Sequence, residues 1–340
     1  MSRLARMWCG YTRATMNVLH RPGWLQFVLL TAIASVAHAV ESPSAVLAAA
    51  TPPAPVELAL DVDEPLYAAP TRVDRIGRIL APVMVNGKGP FRFLLDTGAN
   101  YSTVSPLLLN SLGIETQPDR SRLIHGVTGS AYVPTVLIDS LQAGTYSLEN
   151  EWLPVVQSNI NLHAHGILGV AGLQESRVFV DFRHDKVVIT RSRVRKQDLG
   201  DYYTLEASRV PGGLLAVNVS IRGVRAKAII DTGAEGTLGN IALRDAIRSK
   251  RRHHGDPRLT EVYGATLDVS RGESELATNI TIGEVTINHV DVTYGDFHIF
   301  DAWNLKDRPA MLLGMDVLGV ADALVIDFRA RQILVKRANY

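Results

Sequence analysis

The sequence predicts a mainly β protein with two lobes related by a pseudo-twofold axis and a few short helices. Two observations support this fold class. Valine, isoleucine and threonine recur in short runs that Gly, Asn and Asp interrupt, which is typical of strands joined by tight turns. One pattern of strands and turns also occurs twice along the chain, and such internal repeats indicate a duplicated structural unit.

The N-terminus has the features of a targeting segment. Four arginines and no acidic residue precede an apolar run over residues 24–36, and Ala37-His38-Ala39 fits the small-x-small cleavage pattern. The run is short for a membrane span, which needs about 20 apolar residues. Residues 1–39 are therefore predicted to be a cleaved signal peptide, with an uncleaved anchor over residues 24–40 as the alternative. Both readings predict an extracytoplasmic protein, either periplasmic or secreted, that contacts a membrane only if the segment stays uncleaved.

Composition narrows the possible functions. The chain has 35 basic and 34 acidic residues, so no excess of positive charge suggests a nucleic-acid partner. Its single cysteine, Cys9, lies in the predicted signal peptide, and the mature protein should have no disulfide or thiol chemistry. Residues 40–70 are rich in Ala and Pro and are predicted to form an extended, poorly ordered linker.

The repeat begins with two strands that lead to the same tetrapeptide. Residues 79–99 read ILAPVMVNGKGPFRFLLDTGA, and residues 214–234 read LLAVNVSIRGVRAKAIIDTGA. Each contains a strand, a Gly-containing turn, a second strand and then Asp-Thr-Gly-Ala. The two lobes are predicted at residues 71–196 and 205–340, with barrel-like antiparallel sheets because short strands and hairpin turns favour that packing.

The similarity between the halves continues downstream. Ile167-Leu168-Gly169 follows the first tetrapeptide, and Leu312-Leu313-Gly314 follows the second. A strand that ends in Asp-Phe-Arg and one final strand come next in both halves. Each half also has a helix candidate: Ser105 is expected to cap the first ahead of Pro106, and Asn240 the second.

Both tetrapeptides place an aspartate at the end of an apolar strand. Leu94-Leu95 precedes Asp96 and Ile229-Ile230 precedes Asp231, so both carboxyl groups are expected to be buried and to need hydrogen bonds. Pseudo-symmetry would bring them together at the axis. Two adjacent carboxyl groups cannot both ionise easily and therefore share one proton, which offers a base and an acid at the same place.

These segments resemble the aspartic peptidases of the pepsin and retropepsin superfamily. Members carry apolar-apolar-Asp-Thr-Gly early in each lobe or subunit and apolar-apolar-Gly late, and the resemblance covers about residues 71–340. It implies two retropepsin-like β-barrel lobes and an endopeptidase that acts on an extended peptide or protein through a water molecule. It also implies that neither a metal nor a cofactor is needed. Since both halves of the pair lie in one chain, we expect a monomer.

The resemblance also assigns roles to individual residues. Asp96 and Asp231 would be the catalytic pair. Supporting roles fall to residues that cross-link the two loops, shape them, or let a strand pass behind them. Thr97 and Thr232 would cross-link the loops. Gly98, Ala99, Gly233 and Ala234 would shape them, and Gly169 and Gly314 would let a strand pass behind them. The two alanines match the retroviral branch, since the pepsin branch usually has Ser or Thr there.

The family covers its cleft with hairpin flaps, and each half offers a candidate. His125-Gly126 lies in the first candidate and Tyr263-Gly264 in the second. The sequence departs here from the pepsin-like pattern, in which a tyrosine stands in the flap of the first lobe.

Two alternatives to a peptidase are considered. The first is a catalytically inactive extracytoplasmic protein of the same fold that binds peptides. The second is a two-lobed kinase with Asp-x-Gly phosphate turns, but the long helices and Gly-rich nucleotide loops of such enzymes are missing from the sequence. His125, His163 and His165 are considered as metal ligands, but His163 and His165 stand two positions apart and no third ligand is certain to lie near them. They are therefore interpreted as loop histidines, and no metal site is predicted.

Overall fold

The computed structural model describes residues 69–70, 72–73, 79–157, 164–184, 186–193, 201–250 and 257–337. The predicted signal peptide and residues 40–68 of the predicted linker lie outside these ranges. The last two linker residues form a short strand. Within the described ranges, no helix has the length and apolar character needed to cross a membrane.

The strands of the first half run from the end of the predicted linker to residue 191. They are β1 (Ala69–Pro70), β2 (Arg72–Val73), β3 (Ile79–Val85), β4 (Lys88–Leu95), β5 (Thr103–Val104), β6 (Gln117–His125), β7 (Ser130–Ala143), β8 (Tyr146–Pro154), β9 (Gly166–Leu168), β10 (Ser176–Asp181) and β11 (Lys186–Arg191).

The second half repeats this series with similar lengths. Its strands are β12 (Tyr202–Glu206), β13 (Ser208–Arg209), β14 (Leu215–Ile221), β15 (Val224–Ile230), β16 (Thr237–Asn240), β17 (Arg258–Tyr263), β18 (Val269–Ile282), β19 (Val285–Gly295), β20 (Ala310–Leu313), β21 (Ala321–Asp327) and β22 (Gln332–Arg337). The predicted fold class, mainly β with two barrel-like lobes, is confirmed.

Each lobe wraps its strands into a barrel. In the second lobe the pairs β14–β15–β20–β16–β19–β18 return to β14 and close the circuit. The first lobe follows the same path from β3 through β4, β9 and β5, and a single bridge between Val104 and Val155 joins β5 to the end of β8. Strands β8 and β7 then lead back to β3.

The barrel sheets are mostly antiparallel, as predicted, but within the described ranges they include three parallel strand pairs, β16 with β19 and two that adjoin the aspartates. Strand β4 pairs in parallel with β9, and β15 pairs in parallel with β20. Strands β4 and β15 end one residue before Asp96 and Asp231, and strands β9 and β20 end one residue before Gly169 and Gly314. The parallel pairs lie far apart in sequence, so hairpin-turn signals do not reveal them.

The four helices in the described ranges are short, as predicted. They are α1 (Pro106–Leu112), α2 (Ile241–Ser249), α3 (His298–Ala302) and α4 (Met315–Leu318), and a 3₁₀ turn covers Pro211–Gly213. Both predicted caps are confirmed. The Leu108 N–H donates to the Ser105 hydroxyl at 3.2 Å, and the Leu243 N–H donates to the Asn240 side chain at 2.8 Å.

A third sheet joins the two lobes. Its order is β1-β11-β10-β21-β22-β12, and the central pair, β10 with β21, is antiparallel and brings one strand from each lobe. All seven residues of β21 are buried. The Asp-Phe-Arg segments therefore lie at the turns of the hairpins β10–β11 and β21–β22. These two hairpins belong to the common sheet and not to the barrels.

A buried ion pair crosses this shared sheet. Asp327 has no exposed surface, and it accepts a hydrogen bond from Nε of Arg177 in the other lobe at 2.9 Å. The Ser192 hydroxyl is 2.7 and 2.9 Å from its two carboxylate oxygens, and the Ala330 N–H donates to one of them at 2.8 Å. Nearly every bonding direction of this carboxylate is used, which is the condition under which a buried charge is tolerated.

We expect Asp327→Ala to lower the free energy of unfolding by about 3 kcal/mol, because a buried guanidinium and a buried hydroxyl lose their carboxylate. Urea unfolding followed by circular dichroism measures the change. Glu175→Ala is the matched control, since Glu175 and Arg329 also pair across the lobes at 3.0 Å but with side chains 62% and 40% exposed. That variant should lose less than about 1 kcal/mol. Equal losses in the two variants would contradict the role given to Asp327.

Candidate functional site

The two Asp-Thr-Gly loops meet between the lobes, and each is tied to its own barrel. The Asp96 N–H donates to the Leu168 carbonyl at 3.0 Å, and the Asp231 N–H donates to the Leu313 carbonyl at 3.1 Å. These bonds continue the parallel pairs β4–β9 and β15–β20 by one residue. Each aspartate thus leaves its strand at a position set by the apolar segment beside it.

Each carboxyl group lies against the glycine of the opposite loop. A Cβ atom on Gly98 would overlap the carboxyl group of Asp231, and a Cβ atom on Gly233 would overlap that of Asp96. Glycine is therefore required at both positions by the close approach of the two loops. The two carboxyl groups also hydrogen-bond to each other.

Backbone amides donate to one oxygen of each carboxyl group. The Gly98 N–H donates to Oδ1 of Asp96 at 2.9 Å. Oδ1 of Asp231 accepts from the Gly233 N–H at 2.8 Å and from the Ala234 N–H at 3.1 Å. The predicted supporting residues are thus placed around the two carboxyl groups.

Two threonines cross-link the loops. The Thr97 hydroxyl donates to the Ile230 carbonyl at 2.7 Å and accepts the Thr232 N–H at 3.1 Å. The Thr232 hydroxyl donates to the Leu95 carbonyl at 2.6 Å and accepts the Thr97 N–H at 3.2 Å. Both side chains are buried, so these four bonds form without competition from water.

Burial and its neighbour raise the pKa of Asp231 well above the usual value for an aspartate. Removal from water is the largest cause, and the charge and hydrogen bond of Asp96 add to it, while the amides of Gly233 and Ala234 oppose it. Asp231 is only 6% exposed. The pair therefore keeps one proton at a pH at which isolated carboxyl groups would have lost theirs.

Close approach also explains the two glycines that follow the apolar segments. A Cβ atom on Gly169 would lie 2.5 Å from the Tyr101 carbonyl carbon, and one on Gly314 would lie 2.6 Å from the Gly236 oxygen. No side chain fits at such distances. The structure thus places both glycines directly behind the loops that carry the aspartates.

Sequence reasoning missed a hydroxyl that supports each of these glycines. The Gly169 N–H donates to the Ser102 hydroxyl at 3.1 Å, and the Gly314 N–H donates to the Thr237 hydroxyl at 3.3 Å. Ser102 and Thr237 both stand six positions after their aspartate, and this common spacing was the available signal.

The partners of these two hydroxyls differ between the lobes. The Ser102 hydroxyl is 3.2 Å from the hydroxyl of Tyr146, which donates onward to the Ala171 carbonyl at 2.8 Å. The Thr237 hydroxyl instead donates to Asp316 at 2.8 Å. Burial raises the pKa of both Tyr146 and Asp316. Tyr146 in the first lobe therefore has the same role as Asp316 in the second: each hydrogen-bonds to the hydroxyl that supports the glycine.

Both candidate flaps are the turns of long hairpins, and their tips touch. Residues 126–129 join β6 to β7, and residues 264–268 join β17 to β18. The hydroxyls of Thr128 and Thr266 are 3.4 Å apart, and a Cβ atom on Gly126 would lie 3.3 Å from Thr266. One on Gly264 would overlap Thr128.

The side chains next to the tips differ between the hairpins. His125 Nδ1 is 3.1 Å from Nε2 of His298, so the first hairpin contacts α3 of the second lobe. Tyr263 is 59% exposed and donates its hydroxyl to Glu261 at 2.9 Å.

The other histidines considered from the sequence do not join this pair. His165 accepts the Arg92 N–H at 3.3 Å, and His163 lies outside the described residues. In the part of the chain that the structure describes, no three His, Cys, Asp or Glu side chains are grouped so that they could hold a metal ion.

Comparison with known families identifies the same two regions. A family model described as aspartyl protease matches residues 81–171 and 217–317, which together exceed half of the chain. Each matched region starts within the first strand of a repeat and ends just beyond the apolar-apolar-Gly segment. A search of curated proteins found no significant match.

The raised pKa of Asp231 links stability to pH. The folded state binds this proton more tightly than the unfolded state. The resulting stability is fully present below about pH 3.9, the usual pKa of aspartate, and is lost as pH rises through the raised pKa. Asn at this position has no proton to lose, and its Oδ1 can still accept the amides of Gly233 and Ala234. We expect Asp231→Asn to raise the melting temperature by at least about 2 °C at pH 8 and less at pH 4.

Scanning calorimetry at both pH values measures this difference. Asp245→Asn is the control, because it removes a carboxylate that is 60% exposed and lies outside the pair. A change for Asp231→Asn that is the same at pH 4 and pH 8 would contradict the raised pKa.

Thr232→Val should lower the free energy of unfolding by about 2–4 kcal/mol, because the Leu95 carbonyl and the Thr97 N–H both lose a buried partner. Thr232→Ser keeps the hydroxyl and should lose less than half as much. Denaturant unfolding of the two variants separates the hydroxyl from the methyl group. If serine proves as costly as valine, packing rather than the cross-link accounts for the effect.

Proposed function

We propose that this chain, which belongs to the aspartyl protease family, is an endopeptidase in which Asp96 and Asp231 activate a water molecule between them. The observation that carries the proposal is the hydrogen-bonded carboxyl pair, in which Asp231 is buried and has a raised pKa while Asp96 is partly exposed. Such a pair holds one proton and therefore presents a base and an acid to the same substrate bond.

The proposed reaction uses both forms of the pair. The ionised carboxylate takes a proton from water, and the oxygen of that water forms a bond to the carbonyl carbon of the scissile peptide. The protonated carboxyl group gives its proton to the carbonyl oxygen, so a neutral diol forms. In the second step a proton passes to the amide nitrogen, the C–N bond breaks, and a free carboxyl group and an amine leave.

We propose that the substrate is an extended peptide that lies between the carboxyl pair and the two hairpins. Extended chains bind by strand-like backbone pairing, with side chains alternating between pockets. Because the hairpin tips touch through Thr128 and Thr266, they must separate before a continuous chain can enter. On this view the hairpins act as flaps, as expected from the sequence.

Two further expectations accompany this proposal. Because one chain carries both carboxyl groups and the loops that hold them, we propose that the monomer is the active form. From the predicted N-terminal targeting segment, we propose that the enzyme works outside the cytoplasm, in the periplasm or in the medium. A peptide-binding protein of the same fold without catalysis remains the competing function.

The test is cleavage of proteome-derived peptides, read by mass spectrometry of the new termini. We expect Asp96→Asn and Asp231→Asn each to lower turnover by more than about 10³-fold, and the double variant to be little worse because the two residues act as a unit. Asp245→Asn, an exposed carboxyl group on α2, should keep full activity.

Two results would contradict the proposal in different ways. If the native protein cleaves nothing but retains peptides, the binding function is correct. If one single variant keeps substantial activity, the two carboxyl groups do not work together.

A further inference from the structure

Arg122 connects the first hairpin to the loop that carries Asp96. It lies on β6, and its guanidinium carbon is 4.8 Å from the ring centre of Tyr101. Tyr101 follows Asp96 by five positions and is 50% exposed. The contact therefore places the guanidinium of Arg122 beside the loop that carries Asp96, where the first hairpin approaches it.

The guanidinium of Arg122 is held in place but not neutralised. Among the described residues it has no carboxylate partner and no hydrogen bond, and it stacks on the ring of Tyr101. Arginines of the second hairpin differ, since Arg258 pairs with Asp291 and Arg271 lies 3.8 Å from Glu261. Stacking fixes the plane of a guanidinium and leaves its N–H edge free for a planar oxyanion such as a carboxylate.

The corresponding described positions of the second lobe carry neither an arginine nor an aromatic ring. Arg122 stands three positions before His125, the last paired residue of its strand, and Thr260 stands three before Tyr263. Gly236 follows Asp231 by five positions, as Tyr101 follows Asp96. A Cβ atom on Gly236 would meet nothing within 4 Å. The first lobe therefore carries Arg122 stacked on Tyr101, whereas the second lobe has the neutral Thr260 and open space beside Gly236 at the corresponding positions.

We infer that Arg122, positioned by Tyr101, is a specificity-determining residue that binds an acidic side chain of the substrate at one position, on one side of the scissile bond. This inference rests on the proposed peptidase function. A carboxylate on the guanidinium edge forms two charge-assisted hydrogen bonds, which are stronger than neutral ones. A glutamine or a lysine at that substrate position gains no such bond.

The experiment compares cleavage profiles of proteome-derived peptides for the native protein, Arg122→Gln and Arg122→Glu. The native profile should show Asp or Glu enriched at one position. Synthetic substrates with Glu or Gln there, both amidated at the C-terminus, should differ by about tenfold in kcat/KM. Arg122→Gln should abolish this difference, and Arg122→Glu should shift the enrichment to Lys or Arg at the same position.

Arg271→Gln is the matched control, because it removes the same charge from the other hairpin at a side chain that is 77% exposed. It should leave the profile unchanged. A native profile without acidic enrichment, an enrichment that survives in Arg122→Glu, or one that disappears when the C-terminus is amidated would each overturn the inference while the peptidase function stands.

A second measurement separates the inference from the proposed function. Asp231→Asn protein is immobilised and exposed to a library of short amidated peptides, and the retained peptides are identified with and without the added Arg122→Glu change. Retention of acidic peptides that depends on Arg122 supports the inference even if no cleavage occurs. If the native protein cleaves nothing and retention does not depend on Arg122, both proposals fail.

Discussion

Two carboxyl groups that lie side by side repel each other when both are ionised, and the structure around Asp96 and Asp231 opposes that repulsion. Threonine hydroxyls join the two loops, and each carboxyl group rests on the glycine of the other loop. Strands β9 and β20 hold the aspartates from behind through backbone bonds. These contacts hold the two carboxyl groups together, and this proximity adds to burial in raising the pKa of Asp231.

Since the pair is divided between lobes, the position of one lobe relative to the other matters as much as the loops themselves. The shared sheet provides this through the β10–β21 pairing and the buried bond between Arg177 and Asp327. The exposed pair between Glu175 and Arg329 adds little by comparison. The Asp-Phe-Arg repeat therefore belongs to the joint between the lobes, even though it was noticed as a feature of each repeat.

Local signals allowed much of this structure to be predicted from the sequence. Caps, turn glycines and apolar strands depend on neighbouring residues, which is why both helix starts and the repeated hairpins were found. The common sheet and the two parallel pairs that adjoin the aspartates depend on contacts between residues more than 70 positions apart, which no local period records. The catalytic role of Asp96 and Asp231 remains a prediction.

The support behind the loops shows a second limit of sequence reasoning. Ser102 and Thr237 share a spacing, but their partners are a tyrosine from β8 and an aspartate from α4. A duplicated gene product can fill one structural role with unlike side chains from different elements. Comparison of the halves residue by residue then finds no match, although the hydrogen bonds are alike.

The difference between the lobes at Arg122 and Thr260 has a consequence for the orientation of a bound chain. A groove with perfect twofold symmetry would accept a peptide equally well in either direction, because rotation about the axis exchanges its two ends. Stacking of Arg122 on Tyr101 in one half, opposite the open space at Gly236, removes that equivalence. Under the proposed function, a peptide that places its acidic residue against the first lobe would bind in a single N-to-C direction, and Asp96 and Asp231 would meet the two sides of the scissile bond in one fixed order.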